Sequence, residues 1–154
     1  MNATAQTPLS ALEGTWYVNM SNFKMWLKGN KHNPTFTYTV QNKSNGLGLK
    51  DVVSYIKNGK EKYIIGFDTP TDEQAMSFVW RGKGLLCLFK SKWEILYKNE
   101  FWTVIHFQKT LFTAEGYDVI SRQKHMDANM IKSIHLKLKE LGITRELTVL
   151  QQSN

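Results

Sequence analysis

The sequence predicts an all-β fold: an antiparallel up-and-down barrel of eight to ten strands with one C-terminal α-helix packed outside. Three observations lead there. From Gly14 to Arg122 short β-type runs alternate with turn residues. After Arg122 the apolar spacing changes from that of a strand to that of a helix. The 5 Trp, 8 Phe and 6 Tyr sit within a hydrophobic fraction of 42%, enough to fill a packed, aromatic-rich interior. A meander of many short strands leaves no open edge when the sheet closes on itself. Closure with about eight strands leaves room inside for side chains or one small ligand.

Gly14-Thr15-Trp16-Tyr17-Val18 opens the series, and Phe36-Thr37-Tyr38-Thr39-Val40 follows with strict alternation of large apolar and threonine side chains. Turn chemistry at Asn45-Gly46-Leu47-Gly48, Asn58-Gly59-Lys60 and Asp68-Thr69-Pro70 brackets runs at 49–57 and 61–67. Asn58-Gly59 is the strongest hairpin signal, because both central residues of a type I′ turn need positive φ. Further strands are expected at Ala75–Arg81, Leu85–Phe89, Trp93–Tyr97, Phe101–Phe107 and Tyr117–Arg122, with turns at Gly82-Lys83-Gly84 and Lys98-Asn99-Glu100. Met130, Ile131, Ile134, Leu138 and Leu141 then form one helical stripe, with Asp127 as N-cap and Gly142 as stop.

With 154 residues, the expected organisation is a single domain over 1–154: a flexible start at 1–10, barrel at about 14–122, helix at about 127–141 and extended tail at 143–152. Cys87 is the one cysteine, so no intrachain disulfide forms, and its apolar run Leu85-Leu86-Cys87-Leu88-Phe89 reads as core. No apolar run approaches the roughly 20 residues of a membrane helix, and residues 1–8 lack the basic and apolar regions of a signal peptide. The expected compartment is cytoplasmic as the chain stands, periplasmic or secreted if a signal segment was removed. The expected assembly is a monomer or homodimer.

The net charge of +7 raises nucleic acid, an anionic membrane surface or an anionic ligand as partners. Its lysines are dispersed over turns and the exposed helix face, where they keep a β-protein soluble, so no nucleic-acid partner is expected. His32, His106, His125 and His135 show no metal-binding spacing. Nucleophile elbow, phosphate loop, dinucleotide fingerprint and Cys-X-X-Cys are all missing, so the reading is a non-enzyme without metal or cofactor.

Gly14-Thr15-Trp16 near the start and Ser121-Arg122 at the end of the last barrel strand resemble the lipocalin family of the calycin superfamily. Tyr117–Arg122, the following helix, Gly142 and the short tail to Gln152 are similar to the bacterial lipocalins in particular. The resemblance implies that Arg122 packs over Trp16 and closes one end of the barrel, with Gly14 permitting a tight entry into the first strand. The family's Asp-Tyr turn motif is represented only by Asn99-Glu100-Phe101, and neither its lipid-attachment cysteine nor its disulfide is present.

Aromatic and aliphatic residues at two-residue spacing give the candidate ligand-lining set: Phe36, Tyr38, Tyr55, Ile65, Phe78, Trp80, Trp93, Ile95 and Tyr97. The expected function is binding or carriage of a small hydrophobic or anionic amphipathic molecule, of fatty-acid or lysolipid type. Arg81 or Lys90, if turned inward near the mouth, would pair with its carboxylate or phosphate head group. Two alternatives stand beside it: a calycin-type enzyme or haem protein using His106, Tyr97 or Tyr117, and a filled barrel acting as an interaction module. Phe23, Met25, Trp26 and Leu27 within Asn22–Lys31 suggest a lid over the barrel mouth.

Overall fold

The computed structural model describes residues 8–44, 46–111 and 113–153. Eight strands close into an antiparallel barrel: β1 (Gly14–Ser21), β2 (His32–Lys43), β3 (Gly46–Lys57), β4 (Lys60–Pro70), β5 (Ser77–Gly82), β6 (Lys90–Lys98), β7 (Trp102–Phe107) and β8 (Gly116–Ser121). Each pairs with its neighbour in sequence, and β1 pairs with both β8 and β2 to shut the ring. A two-residue strand β9 (Thr148–Val149) adds to β1 beyond the ring. Between β1 and β2 lies a short helix α1 (Lys24–Leu27), and after β8 comes α2 (Ala128–Glu140).

Local chemistry sets these boundaries. Asn58 and Gly59 have φ of 53° and 70°, the left-handed pair that a two-residue hairpin requires, and β3 and β4 pair right up to Lys57 and Lys60 on either side. Asp127 caps α2 by accepting from the Met130 N–H at 2.7 Å. Ile134 and Leu138 of α2 are buried against Met20, Trp102, Val104 and Val119 on the outer wall. Burying each such aliphatic side chain stabilises the helix on the barrel by about 1.5–3 kcal/mol.

Three expectations are corrected. Leu85–Phe89 is not a strand: Gly84–Leu88 forms a 3-10 turn joining β5 to β6, because its leucines have no alternation that would keep one face buried. Asp68-Thr69-Pro70 is not a turn but the end of β4, paired with Trp80, Val79 and Phe78 of β5. Pro8–Ser10, expected in the loose start, belong to a 3-10 turn Pro8–Leu12 whose Leu9 and Leu12 are buried in the barrel core. The turn residue Asn45, residues 1–7 of the start expected to be flexible, and the side chain of Cys87 lie outside the described residues.

Because successive strands alternate in direction, the connections β1–β2, β3–β4, β5–β6 and β7–β8 gather at one end of the barrel and the remainder at the other. At the second end the Pro8–Leu12 turn packs across the opening. Trp16 donates its indole N–H to the Leu12 carbonyl at 2.8 Å. Arg122 places its guanidinium carbon 3.8 Å from the Trp16 ring centre. It also donates to the carbonyls of Thr15, Ala11 and Glu13 at 3.1, 3.2 and 2.7 Å. Gly14 sits at φ +100°, and a Cβ there would come within 3.0 Å of Arg122 Nη1, so both backbone and space call for glycine.

Candidate functional site

Strand register decides which side chains face the interior. Trp16 is opposite Phe36, Tyr38 opposite Asp51, Phe78 opposite Trp93, and Asp68 opposite Trp80. Phe36, Tyr38, Phe78, Trp93 and Ile95 are buried in the central cluster, and Tyr55 and Trp80 pack against it half-buried. Trp93 lies between Phe78 and Tyr38, stacked on both with ring centres 4.3 and 6.1 Å apart.

Two of the expected lining residues are elsewhere. Ile65 pairs with Val52 on the alternate face of β4, next to the inward Ile64 and Gly66, so it points out. Tyr97 follows a register shift in β6: Ile95 pairs with Ile105, but Tyr97 pairs with Val104, and that extra residue turns it to the outer wall beside Trp102. No spacing rule reveals a bulge in advance.

The inner face also carries what hydrophobic spacing could not signal: buried aspartates. Asp51, Asp68 and Asp118 are 6%, 0% and 1% exposed, and Thr103, opposite the inward Ile120, is 1% exposed. Trp93 donates its indole N–H to Asp68 Oδ1 at 2.8 Å. Asp51 and Asp68 lie within hydrogen-bonding reach of each other, and Asp118 reaches Ser21, its partner across β1 and β8. Asp51 Oδ1, Asp68 Oδ2, Asp118 Oδ1 and Thr103 Oγ1 have no hydrogen-bond partner among the described residues. Burial pushes the carboxyls of Asp51 and Asp118 up to about 7. Asp68 is raised well above the usual carboxylate range by burial and then by the Asp51 charge. Burial likewise holds the Tyr38 phenol well above its ordinary value, and the charges of Asp51, Asp68 and Asp118 push the same way. The interior is therefore an aromatic core with protonatable carboxyls, an environment that favours a proton or another hydrogen-bond donor over a second anion.

The expected cationic contacts do not enter it. Arg81 and Lys90 pair with each other across β5 and β6 and are exposed on the outer wall, one register step from the inward Trp80. His106 and Tyr117 are outside as well, paired across β7 and β8 next to the inward Ile105 and Asp118. His106 is held by two carboxylates, Nδ1 to Glu94 at 3.0 Å and Nε2 to Glu115 at 2.7 Å, so neither ring nitrogen is left for a haem iron. Among the described residues no group of three acidic, histidine or cysteine side chains is arranged to hold a metal ion. No helix of the described residues is long and apolar enough to cross a membrane.

The first end of the barrel is covered by α1. Trp26 is 5% exposed and meets the Tyr55 ring edge-on at 5.8 Å, while Phe23 meets Phe107 at 5.4 Å. Two further grooves, of about 610 and 390 Å³, flank α2 outside the barrel; the larger runs between Tyr97, Trp102, Met130 and Lys137.

No protein-family model and no curated protein sequence matches the chain. Solved structures do. Insecticyanin from the tobacco hornworm Manduca sexta superposes with a TM-score of 0.76 at 13% identity, covering 95% of this chain and 81% of its own. Lobster apocrustacyanin A1 gives 0.69 at 14% identity, covering 94% and 79%. The siderocalin Ex-FABP, described as functioning through dual ligand specificities, gives 0.67 at 14% identity, covering 94% and 97%. These are lipocalins, and the chain has the lipocalin fold. At such identities the likeness defines the fold and leaves the ligand to the residues of this chain.

Proposed function

We propose that the protein is a non-enzymatic binder that takes a small amphipathic molecule into its barrel, with the apolar body among Phe36, Tyr38, Phe78, Trp80, Trp93 and Ile95. The observation that carries this reading is Asp118 Oδ1, a buried carboxyl oxygen without a hydrogen-bond partner among the described residues, on the same inner face as the aromatic stack and the Asp51–Asp68 pair. Buried polar atoms are normally hydrogen-bonded, so an unmatched carboxyl oxygen facing the interior favours an occupant that donates to it. Apolar transfer would drive binding at roughly 25 cal/mol per Å² of surface removed from water, and no bond is made or broken.

The fatty-acid or lysolipid class expected from the net charge needed an inward arginine or lysine, and Arg81 and Lys90 are on the outer wall. A carboxylate or phosphate head group would instead stand beside aspartates. A protonated amine or a hydroxyl suits them, so the preferred ligand is a small hydrophobic molecule with a donor-bearing polar end.

The test is native mass spectrometry of the purified protein together with tryptophan-fluorescence titration by dodecylamine, dodecanol and palmitate, for the native chain and Asp118→Asn. Saturable binding of the amine or the alcohol, with amine binding weakened in Asp118→Asn, is the expected result. Tighter binding of palmitate, unaffected by the substitution, would overturn the head-group assignment and keep the binder. No saturable binding and no co-purified small molecule would overturn the binder in favour of a filled barrel acting as an interaction module.

A further inference from the structure

The two ends of the barrel differ in how far their apolar tips are exposed and in their balance of charge. At the end covered by α1, Leu85 is 96%, Leu88 87% and Leu111 95% exposed, from the β5–β6 and β7–β8 connections, and Leu27 of α1 is 43% exposed. Exposed lysines surround them: Lys24 and Lys28 from the α1 segment, Lys60 from the β3–β4 hairpin, Lys83 and Lys90 flanking the Gly84–Leu88 turn, and Lys109. The acidic side chains nearest this end are engaged, Glu61 with Ser54, and Glu94 and Glu115 with His106. The opposite end carries Glu13, Asp72, Glu73 and Glu100 beside Lys43 and Lys98, and its apolar tips are only about half exposed, Leu47 at 45% and Phe101 at 55%. Leucines displayed almost in full at loop tips are a cost in water that a soluble surface avoids.

We propose that this end of the barrel docks on an anionic lipid bilayer, with Leu85, Leu88 and Leu111 entering the interface and the lysines meeting the head groups. Apolar tips ringed by lysine are the two components of reversible attachment to an anionic membrane surface: shallow apolar insertion and electrostatic attraction. A second copy of the chain is the poorer partner, since face-to-face pairing would bring the two lysine rings together. A nucleic acid would use the lysines and leave the leucines in water. The docked orientation points the α1 lid, and thus the barrel mouth, at the bilayer. This inference stands on the exposed surface and is independent of what occupies the interior.

The experiment is co-sedimentation of the full chain with phosphatidylcholine vesicles, with and without phosphatidylglycerol, at low and high salt. The variants are Leu85→Asp with Leu88→Asp, and Leu136→Asp on α2, 57% exposed on the helix surface, as control. The expected result is binding to the anionic vesicles only, weakened by salt, reduced roughly tenfold or more in the double variant and unchanged in Leu136→Asp. All three proteins should keep the same far-ultraviolet circular dichroism, because the substituted side chains are in solvent. Failure to bind anionic vesicles at low salt, or an equal loss in Leu136→Asp, would overturn the proposal. So would a concentration-dependent dimer that the double variant abolishes while vesicle binding persists.

Discussion

The indole N–H of Trp93 donates to Asp68 Oδ1 at 2.8 Å inside the barrel, joining the aromatic stack to the carboxyl group below it. Trp93→Phe keeps the stacking on Phe78 but leaves Asp68 without that donor. The expected cost is about 1–3 kcal/mol, the range for stranding a buried acceptor, read as a lower urea midpoint. Asp68→Leu, which removes the stranded acceptor, should recover part of that loss in the Trp93→Phe background.

Acidity should stabilise the fold over a defined window. Asp51 and Asp118 are raised to about 7 by burial, with Asp68 raised as well, so the folded protein holds these protons more tightly than the unfolded chain, whose aspartates ionise near about 3.9. Their contribution is present in full below the unfolded value and is lost as pH rises through about 7. Urea midpoints should therefore fall between pH 5 and pH 8, on the order of the window these carboxyls define. Asp118→Asn should show a flatter dependence, and an unchanged slope would contradict the assignment.

Arg122 makes one ring contact and three backbone hydrogen bonds at the closed end. Arg122→Ala should destabilise by about 2 kcal/mol, measured by thermal or urea unfolding. Arg122→Lys should recover only part, because a single ammonium cannot both cover the indole and reach those carbonyls.

Trp26 covers the other end against Tyr55. Trp26→Ala should accelerate ligand exchange in stopped-flow fluorescence, and the same rates in both proteins would exclude α1 as the gate.

Much of the fold was legible in the sequence because its signals are local. Alternation at Phe36–Val40, the Asn58-Gly59 turn, the Asp127 cap and the helical stripe from Met130 to Leu138 each depend on a few neighbouring residues, and each recurs in the structure. The apolar run at Leu85–Phe89 misled because composition without alternation does not specify a strand, and the chain turns there with its leucines in solvent. The candidate site was legible only in part. Phe36, Tyr38, Phe78, Trp80, Trp93 and Ile95 share the inner face; their two-residue spacing put each set on one side of its strand without deciding which side. Ile65 was assigned to the wrong face of its strand, and Tyr97 was displaced by a bulge that spacing alone does not encode.

The sequence by itself determined the class of fold, the order of its elements and the aromatic character of its interior, since turn chemistry and side-chain period act over a few residues. Only the tertiary structure decided that Asp51, Asp68 and Asp118 face inward while Arg81 and Lys90 face out, and so which charge the barrel interior carries. The reason is that a strand offers two faces to every alternating pattern, and closure, register and bulges among distant strands choose between them.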